Sequence, residues 1–273
     1  MRRFVEQKLT PLRTTTFVVI VLAVLAGGAG AEPSASLTPH TAEYKVRISG
    51  VSGILATSLS VDEHGAYTAT HAVRATGLAR LLAGRGRIEE QSVFSVDSGA
   101  LIASQYRSKD ELSREKGTIQ LTFDSQAQRL EGVIALEDAP EVAIDSELTG
   151  PLFDRVSVQY QLMLDFLSET HQQVDTPISD EAVDPDQYVI FDIDGNKTVQ
   201  ITRIGERSIR YRGDTVRALG VRHQSSGSSR KTELWLAPDL DYLPILIEQY
   251  RKDKLKLRAT LRSYTPRVAS GGD

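Results

Sequence analysis

Three oxygen-bearing side chains at alternate positions form the clearest chemical pattern in this sequence. Asp192, Asp194 and Asn196 are each separated by one residue, and Gly195 lies among them, as in the first half of a calcium-binding loop. The twelfth position of such a loop requires a bidentate glutamate, and counting from Asp192 it is Arg203. We therefore interpret the segment as a tight turn, because Asp, Asn and Gly are the residues that turns favour.

The five histidines are the other candidates for metal binding, because the chain has no cysteine. They are His40, His64, His71, His171 and His223. None of them has the H-x-x-x-H or H-E-x-x-H spacing that places two ligands on one helix face. We therefore expect no metal site, and we interpret His71 as a residue of an alternating strand.

The sequence also lacks motifs for nucleophilic or phosphate chemistry. It contains no Gly-x-Ser-x-Gly elbow, and Gly84 and Gly86 are not followed by the Lys-Ser/Thr pair of a phosphate loop. Glu89 and Glu90 are adjacent, and neighbours in a strand point to opposite faces, so they cannot act together as acid and base. We predict that the protein is not an enzyme and uses no cofactor. An enzyme acting on envelope glycan is an alternative that no group of residues supports.

A basic segment near the C-terminus, from Arg251 to Arg258, is interleaved with Leu255 and Leu257. One interpretation is a solvated outer face over a core, since the stems of long basic side chains cover apolar surface. The alternative is a cationic strip that meets an anionic headgroup or a glycan.

One stretch, residues 150–169, predicts a substantial helix that must position any site. Asp154 is placed as an N-cap just after Pro151. Apolar residues then recur at helical spacing, at Val156, Tyr160, Met163 and Leu167, and the face is widened by Leu162 and Phe166.

The rest of the chain reads as strands joined by short turns. Period-two alternation indicates about a dozen strands, and the connections are too short for parallel crossovers. The acidic segment 137–149 is interpreted as a loop. The predicted fold is mainly β: a curled antiparallel sheet, or an open or partly closed β-barrel, with one α-helix packed on its concave side.

The N-terminus predicts export. Residues 1–13 are basic, residues 17–26 are an unbroken apolar run, and Ala29-Gly30-Ala31 forms a small-x-small cleavage site before Glu32. The apolar run is short of the ~20 residues of a membrane span, so we expect a cleaved signal peptide (1–31) and no stable transmembrane anchor. A single β-rich domain, 32–273, with short disordered ends would then be a soluble periplasmic protein.

The charge of the chain argues against nucleic acid as a partner. Residues 32–273 carry 28 Lys and Arg against 35 Asp and Glu, a formal charge of −7. Nucleic-acid-binding proteins usually have a strong basic excess.

Several segments resemble the bacterial exported family called domain of unknown function 3108. They are Tyr44-Lys45-Val46, Gly77-Leu78, the helix start from Asp154 to Leu162, and Trp235-Leu236-Ala237-Pro238 with Leu243-Pro244-Ile245 just after it. The resemblance covers roughly residues 42–264. It implies an exported, β-rich fold like an open or partly closed barrel, and it brings no catalytic residues.

Our hypothesis from the sequence is a non-enzymatic periplasmic binding or carrier module for an apolar or lipid-like ligand, held between the helix and the sheet. The predicted ligand-binding residues are Tyr160, Met163, Phe166, Leu167 and Trp235. The alternative is a structural or interaction protein of the envelope whose own helix fills the barrel. Leu78, Leu81 and Leu82 form a candidate apolar lip toward a membrane or a partner, or else a helical turn that belongs to the core.

Overall fold

A single run of antiparallel strands dominates the computed structural model, which describes residues 35–48, 51–77, 86–113, 116–172, 187–225 and 227–267. The first eight strands are β1 (His40–Ile48), β2 (Val51–Val61), β3 (Tyr67–Ala75), β4 (Arg87–Asp97), β5 (Ala100–Asp110), β6 (Gly117–Asp124), β7 (Arg129–Leu136) and β8 (Val142–Glu147). The helix α1 (Ser157–Gln172) follows them. The remaining strands are β9 (Gln187–Ile190), β10 (Lys197–Tyr211), β11 (Asp214–Ser225), β12 (Arg230–Ala237), β13 (Leu243–Arg251) and β14 (Lys254–Pro266), with a short 3-10 helix, Pro238–Leu240, between β12 and β13.

These strands form one 14-stranded sheet in the order β8-β7-β6-β5-β4-β3-β2-β1-β14-β13-β12-β11-β10-β9. The first and the last strand of the chain are neighbours near the centre of the sheet, because β1 pairs with both β2 and β14. Within the described part of the chain the sheet does not close, and β8 and β9 are its edges. A parallel bridge between Phe153 and Ile190 joins the chain before α1 to β9.

The alternation within each strand determines which face is buried. In β1, Ala42, Tyr44 and Val46 are buried while Lys45 and Arg47 are exposed. The inward residues of neighbouring strands join them in one core, which the helix completes. Period-two burial is the pattern from which the strands were predicted.

The helix begins with a reciprocal capping arrangement. The Asp154 carboxylate accepts the backbone N–H groups of Val156 and Ser157 at 2.8 and 2.9 Å. In return, the N–H of Asp154 donates to the Ser157 hydroxyl at 2.9 Å. These bonds satisfy donors that a helix start otherwise leaves open, and they confirm the predicted N-cap.

The helix presents its apolar face to the core. Val156, Tyr160, Met163 and Phe166 are buried, and Tyr160 is 0% exposed. Leu167 is partly buried and packs against the same core. Among the described residues, no helix is long and apolar enough to cross a membrane.

One local prediction was wrong. Segment 137–149 contains a strand, β8, rather than a loop; its residues are mostly exposed because it is an edge strand, and edge strands show little alternation. The basic segment spans the turn of the hairpin predicted from residues 243–250 and 254–264, since β13 ends at Arg251 and β14 begins at Lys254. Leu255 is 42% exposed, whereas Leu257 is partly buried and packs against the core.

The segment around Asp192 forms a tight turn, as the sequence predicted. The carboxylate of Asp192 pairs with Lys197 and also lies 3.4 Å from a guanidinium nitrogen of Arg155. Gly195 supplies the positive φ, +109°, that the turn requires.

Candidate functional site

Four side chains beside the helix bury polar atoms that have no hydrogen-bond partner. We call His40, Thr57, His71 and Tyr160 the polar cluster. Their unpartnered atoms are His40 Nε2, Thr57 Oγ1, His71 Nε2 and the Tyr160 hydroxyl. Burying such a group unpaired costs about 1–3 kcal/mol, so this grouping requires an explanation.

The register of the central strands brings the cluster together. Thr57 of β2 lies opposite His71 of β3 and, on its other side, opposite Ala42 of β1. His40 is two residues before Ala42 and therefore points to the same face. Three neighbouring strands thus direct one polar side chain each toward the helix.

Tyr160 supplies the fourth member from the helix side. Its ring centroid is 6.3 Å from that of His40 and 6.4 Å from that of His71. The Phe94 ring lies 5.7 Å away and gives an aromatic wall. The polar atoms therefore lie in a largely apolar, aromatic surrounding, where an unmet hydrogen bond is most costly.

The two imidazoles are held neutral by burial. His40 Nδ1 lies 2.8 Å from the carbonyl oxygen of Thr38, which accepts only a donated hydrogen, so Nδ1 carries the proton and Nε2 is an acceptor. Desolvation lowers the pKa of His40, although the Thr38 carbonyl and Asp241 oppose the shift. Desolvation also lowers the pKa of His71, with Glu90 opposing it and His40 reinforcing it.

The phenols around the cluster are held neutral as well. Burial raises the pKa of Tyr160 and that of Tyr44. Burial, with Asp241 as a further cause, raises the pKa of Tyr264 to about 12. The Tyr160 hydroxyl is therefore available as a hydrogen-bond donor at any physiological pH.

Carboxylates with partners of their own lie next to the cluster. Glu90 is opposite His71 across the β3–β4 pair and accepts the Tyr106 hydroxyl at 2.6 Å. Asp154 accepts the Ser92 hydroxyl at 2.6 Å, and its burial raises its pKa. Of these two acids, Glu90 acts electrostatically on His71.

An apolar row adjoins the cluster and remains partly open to solvent. Leu55, Val73 and Ile88 stand opposite one another on β2, β3 and β4. Each is two residues from Thr57, His71 or Glu90 and shares its face. We call these three residues the mouth row, because they retain partial exposure whereas His40, Thr57 and Tyr160 are buried.

The polar cluster consists of groups that form hydrogen bonds. The cluster offers imidazole acceptors and phenol and hydroxyl groups, with no activated nucleophile. Within the described ranges, no three His, Asp or Glu side chains come close enough to hold a metal ion.

The structure places the five predicted ligand-binding residues in different surroundings. Tyr160 belongs to the polar cluster. Phe166 packs on Tyr242, with ring centroids 5.3 Å apart, under the guanidinium of Arg203. Met163 is buried in the core and Leu167 packs against it.

Trp235 is not among the ring contacts of the helix. Its indole is covered by the Arg207 guanidinium, 5.4 Å from the ring centre, and its edge lies against Gly220. Its Nε1 is buried without a partner. Arg207 also reaches the buried Glu248, at 3.7 Å, so Trp235 belongs to a charged environment of its own.

Two further features bear on the predicted binding surfaces. Leu78, Leu81 and Leu82, the candidate lip, lie outside the described residues. Open depressions of about 530 and 430 Å³ lie on β5–β8, where residues such as Gln105, Arg107 and Lys109 line them. The helix lines neither of these two.

Sequence reasoning missed His40 and Thr57 as site residues. The sequence did contain one signal, the alternation of faces along a strand. His40 lies on the same face as Tyr44 and Val46, and His71 lies on the same face as Ala69 and Val73. The missing information was the cross-strand register that aligns these faces.

Over the described residues, the fold and the site define a mainly β, barrel-like protein in which one unclosed antiparallel sheet packs against one α-helix. The chain belongs to the family described as Protein of unknown function (DUF3108), which matches residues 43–260. The resemblance drawn from the sequence is therefore confirmed.

A solved structure shares this architecture. The fold is similar to that in the crystal structure of a β-barrel-like protein of domain of unknown function DUF1849 from Brucella abortus, with a TM-score of 0.50 and 12% identity. The similarity covers 86% of this chain and 100% of that one, and at this identity it shows the fold alone. No curated protein matches the chain in sequence.

Proposed function

We propose that the protein is a non-enzymatic binding or carrier module of the bacterial cell envelope that takes an apolar or lipid-like ligand between its sheet and its helix. The observation that carries this proposal is a row of partly exposed apolar side chains ending on buried, unpartnered polar atoms. A molecule with an apolar tail and a polar end satisfies both features at once. Export by the N-terminal segment 1–31 would deliver the protein to the periplasm.

Each part of the site has a role in this proposal. The mouth row would contact the tail near solvent, and the polar cluster would hold the polar end beside Tyr160. The helix face, through Phe166, Met163 and Leu167, would form the wall behind the ligand.

The proposal is tested by asking what the protein carries when it is exported in a bacterial host and purified without refolding. Lipid extraction and mass spectrometry should recover a stoichiometric amphiphile. A neutral fluorescent lipid probe should bind the delipidated protein. Protein that carries no amphiphile and binds no probe would contradict the proposal.

A matched pair of variants localises binding. Leu55→Glu places a charge in the mouth row and should weaken probe binding at least about tenfold, because burying an unpaired carboxylate against a lipid tail is costly. Leu255→Glu makes the same change at a leucine that is 42% exposed in β14. It should leave probe affinity unchanged.

The second candidate, a structural or interaction protein filled by its own helix, is favoured by one observation. Val156, Tyr160 and Leu164 are each 0% exposed, so this part of the helix is already packed. In that case Leu55→Glu and Leu255→Glu would behave alike, and neither preparation would carry lipid.

A further inference from the structure

We propose that the polar cluster selects ligands whose polar end is an uncharged hydroxyl group, such as a monoacylglycerol or a long-chain alcohol, over anionic lipids. This inference rests on the proposed function and names the class of ligand. It is carried by the hydrogen-bonding directions of the four unpartnered atoms and by the charges next to them.

The first step is the requirement for a donor on the ligand. His40 Nδ1–H donates a hydrogen bond to the Thr38 carbonyl at 2.8 Å, so His40 Nε2 of the neutral ring can only accept. A ligand must therefore donate a hydrogen to this atom. A deprotonated carboxylate or a phosphodiester has no hydrogen to donate.

The second step is the requirement for an acceptor on the same group. The Tyr160 hydroxyl is buried and makes no hydrogen bond in the structure. Its ring lies beside both imidazoles, with centroids 6.3 and 6.4 Å away. A hydroxyl group accepts from Tyr160 and donates to an imidazole at the same time, whereas an ester oxygen can only accept.

The third step is electrostatic. Glu90 lies opposite His71, and Asp241 acts on both His40 and Tyr264. The guanidinium of Arg155 lies 3.4 Å from the Asp192 carboxylate, so that cation already has a counterion. The carboxylates of Glu90 and Asp241 would both repel an anionic head placed beside the imidazoles, which disfavours fatty acids and phospholipids.

Thr57 contributes a second hydroxyl group to the polar cluster, in addition to that of Tyr160. It is 5% exposed, its Oγ1 is unpartnered, and it lies opposite His71 in the β2–β3 register. A head with more than one hydroxyl, as in a monoacylglycerol, would meet both Thr57 and Tyr160.

The test compares three ligands whose hydrocarbon chains have the same length: a monoacylglycerol, a free fatty acid and a long-chain amine. Each displaces the neutral fluorescent probe from the full exported chain. The monoacylglycerol should bind about tenfold tighter than the acid, which has no hydrogen to donate to His40, and than the amine, whose ammonium group cannot accept from Tyr160. Equal or tighter binding of the acid or the amine would overturn the inference.

Two near-isosteric variants assign the preference to the cluster. Tyr160→Phe and Thr57→Val each remove one hydroxyl and should reduce the monoacylglycerol preference to about threefold or less. The thermal midpoint of the unliganded protein should not fall, because each removes a buried group without a partner. A preference that survives both changes would overturn the inference.

Tyr242→Phe is the matched control. Tyr242 exchanges a hydrogen bond with Thr170 and packs on Phe166, outside the polar cluster. The Tyr242→Phe variant should show the same ligand preference as the wild-type protein. If no ligand displaces the probe and no probe binds, the proposed function itself fails; if all three ligands bind alike, only the selectivity fails.

Discussion

At the scale of single residues, burial keeps the ionisable side chains of the polar cluster neutral. His40 and His71 are drawn away from water by the sheet, and the helix adds a phenol rather than a counterion. Neutral groups that keep their hydrogen-bonding capacity suit recognition of an uncharged partner. The same neutrality makes the folded state sensitive to acid.

Acidification should destabilise the protein. The pKa values of His40 and His71 are lowered by burial from an ordinary 6.5, so below that pH the unfolded chain binds more protons than the folded one. The stability they contribute is complete above pH 6.5 and is lost as the pH falls through their folded pKa values. The free energy of unfolding should therefore drop between about pH 7.5 and about pH 5.5.

Urea denaturation at several pH values measures this dependence. His71→Phe should flatten it, because the variant has one fewer buried group to protonate; His40 and His223, whose pKa is also lowered, account for the remaining slope. His64→Gln is the control, since the His64 side chain is 81% exposed. A pH dependence of wild-type strength in His71→Phe would contradict this assignment.

The start of the helix rests on one carboxylate. Asp154→Ala removes acceptors for three partners, Val156 N–H, Ser157 N–H and the Ser92 hydroxyl. We expect a loss of about 2 kcal/mol or more in the free energy of unfolding, because the orphaned donors are buried. Thermal or urea unfolding measures it.

Asp62→Ala provides the comparison for the helix cap. Asp62 also accepts two backbone N–H groups, those of His64 and Ala66, at 2.9 Å each, but in an exposed turn. Water replaces these bonds, so the loss should stay below about 1 kcal/mol. Equal losses at Asp62 and Asp154 would mean that burial of the cap contributes nothing.

At the scale of elements, the helix was predictable and the edge strand was not. Helical spacing from Val156 to Leu167 is dense enough to indicate the element and its buried face. β8 has few inward apolar residues, because an edge strand pairs on one side only and stays largely solvated. Its acidic composition is equally typical of a loop.

The long β10–β11 hairpin depends on close packing at Gly220. A Cβ added there would lie 2.7 Å from Ile204 Cγ1 and 2.8 Å from the Trp235 ring. Gly220→Ala should therefore cost about 1–3 kcal/mol through overpacking, seen as a lower thermal midpoint. Gly150→Ala, where a Cβ meets nothing within 4 Å, should be neutral; a similar loss at both positions would argue against the steric cause.

At the scale of the whole molecule, the centre of the sheet is formed by two strands that are far apart in the sequence. β1 and β14 pair along their length, with Val46 opposite Ala259, although they lie at opposite ends of the described sequence. Local periodicity predicts each strand and its inward face, but pairing between distant strands leaves no local signal. For the same reason the alignment of His40, Thr57 and His71 emerged only from the register.

Disrupting the central pairing should therefore affect the entire sheet. Val46→Pro removes a ladder donor in a strand that is paired on both sides, with Ala259 and Gly53, and should cost about 3 kcal/mol or more. Val142→Pro makes the same change in edge strand β8, at a residue that is 51% exposed, and should be milder. Comparable midpoints by thermal unfolding would contradict the central role of β1.

The claim on which the functional account depends is that the polar end of a ligand binds beside Tyr160. The most direct measurement is a crystal structure of the protein exported and purified without refolding. We expect continuous density that starts within hydrogen-bonding distance of the Tyr160 hydroxyl and His40 Nε2 and extends past Leu55 and Val73. An interior in which those atoms bond only to one another or to ordered water would contradict the account.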